Sequence, residues 1–151
     1  MDRRVFIGLA LIGASGLAVY PAMAQTGRIY TGLVPDTAVG GYDSVTYFTE
    51  GQAIKGSPDI TLDYGGAIWR FASVENRDMY AADPERYAPQ YGGHCAYAAA
   101  KGYLAKGDPE VWHIENGKLY LNFDQNVQKL WFADIPGFIK QADANWPTLG
   151  R

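Results

Sequence analysis

Ile60-Thr61-Leu62-Asp63-Tyr64-Gly65-Gly66-Ala67-Ile68-Trp69-Arg70-Phe71 alternates apolar and polar side chains on either side of a Gly-Gly pair. Alternation separates the two faces of a strand, and the glycines accept the positive φ that a tight turn demands. The stretch therefore reads as a β-hairpin. Ser73 follows as an N-cap for a helix from Val74 to Ala82, its hydroxyl placed to accept a first-turn N–H. Asp83-Pro84-Glu85-Arg86-Tyr87 restarts a second short helix with proline in its first turn, and Pro89 ends it. Further on, Val111-Trp112-His113-Ile114 and Leu119-Tyr120-Leu121-Asn122-Phe123 flank Glu115-Asn116-Gly117-Lys118, where Asn-Gly marks a second hairpin. Asp124 caps a helix from Gln125 to Phe132 that gathers Val127, Leu130 and Trp131 on one face. Pro136 begins a last helix to about Asn145, after which Trp146-Pro147 is expected to fold back on the core.

Hairpin, helices, hairpin, helices is the order of an α+β fold with short hairpins, flanking short helices and a C-terminal helical pair. No internal repeat at a fixed period is evident, and the two hairpin-plus-helix halves are loosely alike. Gln25 to Thr37 reads as an extended lead-in, and Val39-Gly40-Gly41-Tyr42-Asp43 as a turn. Ser44 to Phe48 suits a strand or a tight apolar corner, and Gln52 to Ser57 a short strand plus loop closed by Pro58. Ala96 to Lys101 is short, made of small residues and of no clear class.

The first residues read as an export signal. Met1-Asp2-Arg3-Arg4 is basic, Val5 to Tyr20 is apolar apart from small residues, and Ala22-Met23-Ala24 offers a cleavage site before Gln25. The apolar run is too short and glycine-rich for a comfortable membrane span. Arg3-Arg4-Val5-Phe6-Ile7 also resembles a twin-arginine address. Removing residues 1–24 leaves 127 of the 151 residues, enough for one domain with a real core. Arg3, Arg4 and Asp2 leave with the leader, which takes the formal charge from −3 to −4. The expected location is periplasmic or secreted. No basic stripe exists to hold nucleic acid, and no basic amphipathic helix to hold a lipid surface.

Cys95 is the only cysteine, so the fold must stand without an internal disulfide. It lies in Tyr91-Gly92-Gly93-His94-Cys95-Ala96-Tyr97, where a double glycine precedes an imidazole and a thiol. A cysteine in such a place either packs as a small apolar filler or meets a soft or electrophilic ligand.

Asp43-Ser44-Val45-Thr46, Tyr64 to Ser73, Asn76 and Ala82-Asp83-Pro84-Glu85-Arg86-Tyr87 together resemble the YHS domain, a small module of metal-handling proteins. The likeness spans about Val39 to Tyr87. With Tyr91 to Gly102 and the Asn116-Gly117 hairpin, the whole of residues 25–151 is similar to exported YHS domain-containing proteins. In some of those the residue matching Cys95 is selenocysteine, which implies a chemical role for the position. The thiols usual in the family fall here on Thr46, Ala72 and Asn76, none of which replaces a thiolate ligand. The family's ordinary metal site is therefore not carried across.

Three readings of the remaining chemistry stand side by side. Cys95 with His94 and/or His113, and with Met79, forms a soft-ligand set that suits copper first. That requires the glycine bend to break strand alternation, since neighbours in a strand point apart. Alternatively Cys95 is a redox thiol acting on a small thiol or peroxide, its pKa lowered by His94, Arg70 or Lys101, with turnover through an external thiol. Or the cysteine is inert and the chain is a non-catalytic interaction module whose protein partner the residues do not name. His113 in its strand also reads as a solvent-facing polar residue, and Tyr91, Tyr97, Tyr103 and Trp112 as pocket lining or core.

Overall fold

A computed structural model describes residues 28–151. The expected leader of residues 1–24, with its arginine pair, lies outside the described residues.

Among the described residues, the first elements are a 3-10 turn, Ala38–Gly41, and a one-turn helix α1, Thr46–Thr49. Strands β1, Ser57–Tyr64, and β2, Ala67–Phe71, form an antiparallel hairpin, followed by α2, Val74–Ala82, and α3, Pro84–Tyr87. A second 3-10 turn, Gln90–Gly93, then leads to α4, Ala96–Lys101. Strands β3, Asp108–Glu115, and β4, Lys118–Asn122, make the second hairpin, and α5, Gln125–Phe132, and α6, Ile135–Leu149, complete the chain. Among the described residues, six helices and two separate two-stranded antiparallel sheets make this an α+β fold.

The two halves are one motif used twice. Val39, Gly40 and Gly41 have φ of 53°, 57° and 81°, and Tyr91, Gly92 and Gly93 have 58°, 61° and 80°. Bridges Tyr42↔Lys55 and His94↔Lys106 close equivalent loops, with matching bonds Asp43 N to Ile54 O and Cys95 N to Ala105 O. Both hairpins carry a register shift near the start of their first strand, between Ser57 and Thr61 and between Asp108 and Trp112. Ser73 caps α2 by accepting from Asn76 N, and Asp124 caps α5 by accepting from Val127 N. A strand aromatic packs on a helix aromatic in each half: Trp69 on Tyr80 at 4.8 Å and Tyr120 on Trp131 at 5.3 Å. The loose likeness of the halves in sequence is thus a structural duplication. Its carriers are backbone conformations and cap roles, which different side chains can fill.

Two core clusters form, and the first takes Leu119 and Leu121 from the second hairpin. The first centres on Tyr47, Trp69, Phe71 and Tyr80, and the second on Tyr91, Ala99, Tyr120, Trp131 and Ala142. They are joined where the Tyr47 hydroxyl donates to Pro109 O at 2.6 Å and its ring meets Trp112 edge-on. The second half adds α6, whose buried Ala142 shares the core with Ala96 and Ala99 of α4. Asn145 Nδ2 donates to the carbonyls of Ala99 and Ala100 near the C-terminal end of α4, the first of which also accepts from Gly102 N.

Several local expectations are corrected. Ser44 to Phe48 is neither strand nor corner: Thr46–Thr49 is helical, started by Asp43 accepting from Val45 N. Gln52 to Ser57 keeps only the Lys55 bridge, and Pro58 lies inside β1, next to the register shift where a missing N–H is tolerated. Ala96 to Lys101 is helical. The last helix continues through Pro147 to Leu149 rather than ending near Asn145. Proline forfeits one helical bond there, while Trp146 is held against the rings of Tyr91 and His94.

Candidate functional site

Asp43 explains the place of Cys95. The Asp43 carboxylate is fully buried; Oδ1 accepts from Val45 N, and Oδ2 from Ala72 N and Asn76 Nδ2, each at 2.8 Å. Thr46 Oγ1 adds bonds to Asp43 O and Gln52 O. Thr46, Ala72 and Asn76, the positions at which the resemblance would put thiols, therefore converge on one residue, Ala72 and Asn76 on its carboxylate and Thr46 on its backbone carbonyl. In this chain a hydrogen-bonded knot occupies that spot.

Cys95 is the counterpart of Asp43 in the second half. Its Sγ caps α4 by accepting from Ala98 N at 3.5 Å, and lies 3.7 Å from Asn122 Oδ1. Asn122 Oδ1 in turn accepts from Tyr97 N at 3.4 Å, the counterpart of the Val45 bond. The work of one carboxylate is divided between a sulfur and an amide. Burial, with 1% of Cys95 exposed, pushes its thiol pKa up. The N–H groups of Ala98, Phe123 and Tyr97 favour the thiolate, but burial outweighs them and Asp124 opposes them. The sulfur is a neutral thiol with polar company and almost no access. Lys101, one expected source of a lowered pKa, instead sits over the rings of Tyr97 and Phe138.

The other expected ligands have neighbours of their own. His94 packs on Tyr30 and Trp146, with ring centroids at 5.3 and 6.0 Å. Burial and the Arg28 cation lower its pKa, against a smaller opposing effect from the Ala105 and Arg28 carbonyls. His113 is half-buried rather than solvent-facing: Nε2 pairs with Glu115 Oε2 at 2.8 Å, and its ring meets Trp131 and Phe132 edge-on. Glu115 is two residues along the same strand and so shares its face. Met79 is exposed on α2, whose one buried residue is Tyr80. Among the described residues, no group of three or more His, Cys, Asp or Glu side chains is placed to hold a metal ion.

A different opening lies at the seam of the two halves. A cleft of about 820 Å³ takes Tyr64, Trp69 and Glu85 from the first half, Tyr91 and Lys118 from the second, and Asp143 and Trp146 from α6. Ile29, Pro89 and Pro147 complete its apolar wall. Tyr91 donates its hydroxyl to Asp143 Oδ1 at 2.8 Å, and burial first, then that bond, hold the phenol protonated. Of the four tyrosines and tryptophans considered in sequence as pocket lining, Tyr91 alone lines this cleft. Tyr97 packs on Phe138, Trp112 on Tyr47, and Tyr103 is exposed. Glu85 reads in sequence as a helix-end charge, and Asp143 and Trp146 carry no motif; packing of α6 on α4 is what brings the latter two to the cleft. No helix among the described residues is long and apolar enough to cross a membrane. No family model, no curated protein and no solved structure gives a significant match to this chain.

Proposed function

We propose that this chain is an exported, YHS-like, non-catalytic binding module that takes a small organic cation in the seam cleft. The observation that carries the reading is the lining itself. Four aromatic side chains, Tyr64 and Trp146 part-exposed and Trp69 and Tyr91 buried, line with the carboxylates of Glu85 and Asp143 a space of about 820 Å³, and Lys118 is the one cation among the described lining residues. Volumes of this order, apolar walls with a few polar groups, and a position between two halves are the usual marks of a ligand site. Aromatic faces attract a cation by about 0.5–2 kcal/mol each when water is displaced, and the carboxylates add to the same preference.

The soft-metal and redox readings of Cys95 find less support. A thiol that caps a helix, titrates high and has no second soft ligand beside it is suited to holding structure. The exported, periplasmic or secreted location rests on the leader.

Benzyltrimethylammonium is a suitable probe, followed by amide chemical shifts with benzyl alcohol as the uncharged control. The cation is expected to shift residues around Tyr91, Lys118 and Asp143 saturably, and Glu85→Gln to weaken it by about threefold to tenfold. Equal responses to both probes, or shifts scattered away from the cleft, would remove the proposal.

A further inference from the structure

A second recess shares Ile29 of its wall with the seam cleft. It encloses about 380 Å³ and is lined by Arg28, Tyr30, Gly32, His94, Ala105 and Lys106 among others, with no acidic side chain in the lining. His94 is only 5% exposed, yet its buried Nε2 has no hydrogen-bond partner. An unpaired buried polar atom costs about 1–3 kcal/mol; the Ala105 and Arg28 carbonyls beside the ring favour its charged form, and an anion in the recess would add to that preference. The segment carrying Arg28 is pinned in place: Tyr30 N donates to Gly92 O at 2.9 Å, and a Cβ on Gly92 would run into the Arg28 carbonyl oxygen. Lys106 is set by the His94↔Lys106 bridge, with its ammonium 5.1 Å from the Phe123 ring centre.

We propose that this recess binds a small oxyanion, of the kind presented by a phosphate, sulfate or carboxylate group. Arg28 offers a planar fork of donors and Lys106 a mobile point charge. His94 supplies an N–H at the wall, and in the neutral ring the tautomer that carries hydrogen on Nε2 does so without a second charge. The aromatic faces of Tyr30 and Trp146 fix the imidazole plane. The site differs from the seam cleft in sign as well as in position, so the two proposals stand or fall separately.

The test follows the His94 ring resonances of the purified protein during titration with inorganic phosphate, sulfate or acetate at constant ionic strength, with chloride as the control. Saturable shifts are expected with Kd on the order of 1 mM. Binding should also raise the His94 titration midpoint, because an anion favours imidazolium. Arg28→Ala and Lys106→Ala, both at exposed positions, should each weaken binding by about threefold to tenfold. Lys101→Ala, outside the recess, should leave it unchanged. Preference for acetate over phosphate would assign a carboxylate-bearing ligand, and the reverse a phosphate-bearing one. Unmoved His94 resonances at about 50 mM of every oxyanion, far above a Kd of that order, would overturn the proposal. So would shifts that chloride reproduces.

Discussion

Replacing Asp43 with alanine should be among the most damaging single changes in the first half. The substitution removes acceptors from Val45 N, Ala72 N and Asn76 Nδ2, in a site with no exposure to water. Hydrogen bonds to a charged group contribute about 1.5–3 kcal/mol each, and partners left buried and unpaired add a penalty. Because the three share one carboxylate they do not add in full, and about 4 kcal/mol is expected. With an m-value of about 2 kcal/mol/M, the urea midpoint should fall by about 2 M. Tryptophan fluorescence follows the unfolding, with Trp69 packed on Tyr80 in the first core. Cys95→Ala at the equivalent position should cost less, about 1–2 kcal/mol, since one longer contact from Ala98 N and one buried sulfur are lost. A loss under about 1 kcal/mol for Asp43→Ala, or a larger loss at Cys95, would refute the account of the two positions as one capping site filled in two ways.

Burial should also slow alkylation of Cys95 in the native protein relative to the unfolded chain. Because the folded thiol has the higher pKa, its contribution to stability is complete below the unfolded value of about 8.5 and declines as pH rises beyond it. Urea midpoints measured across that range should fall in wild type more steeply than in Cys95→Ala; parallel curves would contradict the assignment. Gly92→Ala should destabilise by about 2 kcal/mol or more, since positive φ and the Arg28 carbonyl both reject a Cβ. Hydrogen exchange at Tyr30 N should accelerate in that variant, and unchanged protection would count against the pinned segment. Titration of reduced protein with Cu(I) against a chelator should show Cys95→Ala competing as well as wild type. A clear loss in the variant would restore the soft-metal reading.

Much of this architecture is written in local signals. The Gly65-Gly66 and Asn116-Gly117 turns, the Ser73 and Asp124 caps and the alternation of Ile60 to Phe71 act over a few residues, so their chemistry declares itself in the chain. Cys95 and His94 were also visible as residues, being a lone thiol and one of two imidazoles. Their surroundings were not. Whether the sulfur is reachable depends on Asn122 and Ala98, and whether the imidazole has a partner depends on Arg28 and Trp146; three of these four lie far away along the chain.

The duplication shows the same division most plainly. Asp43 and Cys95 share no side-chain chemistry that a sequence comparison would pair, and neither do Ser44 and Ala96. What the two halves share is three successive positive φ angles, a bridge, a displaced register and a capped helix. Sequence alone determined that the chain forms two hairpins with capped helices, because those elements are stabilised by neighbours in the chain. Only the tertiary structure decided that the halves match, that α6 packs on α4, and that carboxylates from α3 and α6 meet aromatic rings at the seam. Contacts between distant segments are set by how faces pack, and no short-range residue signal encodes that packing.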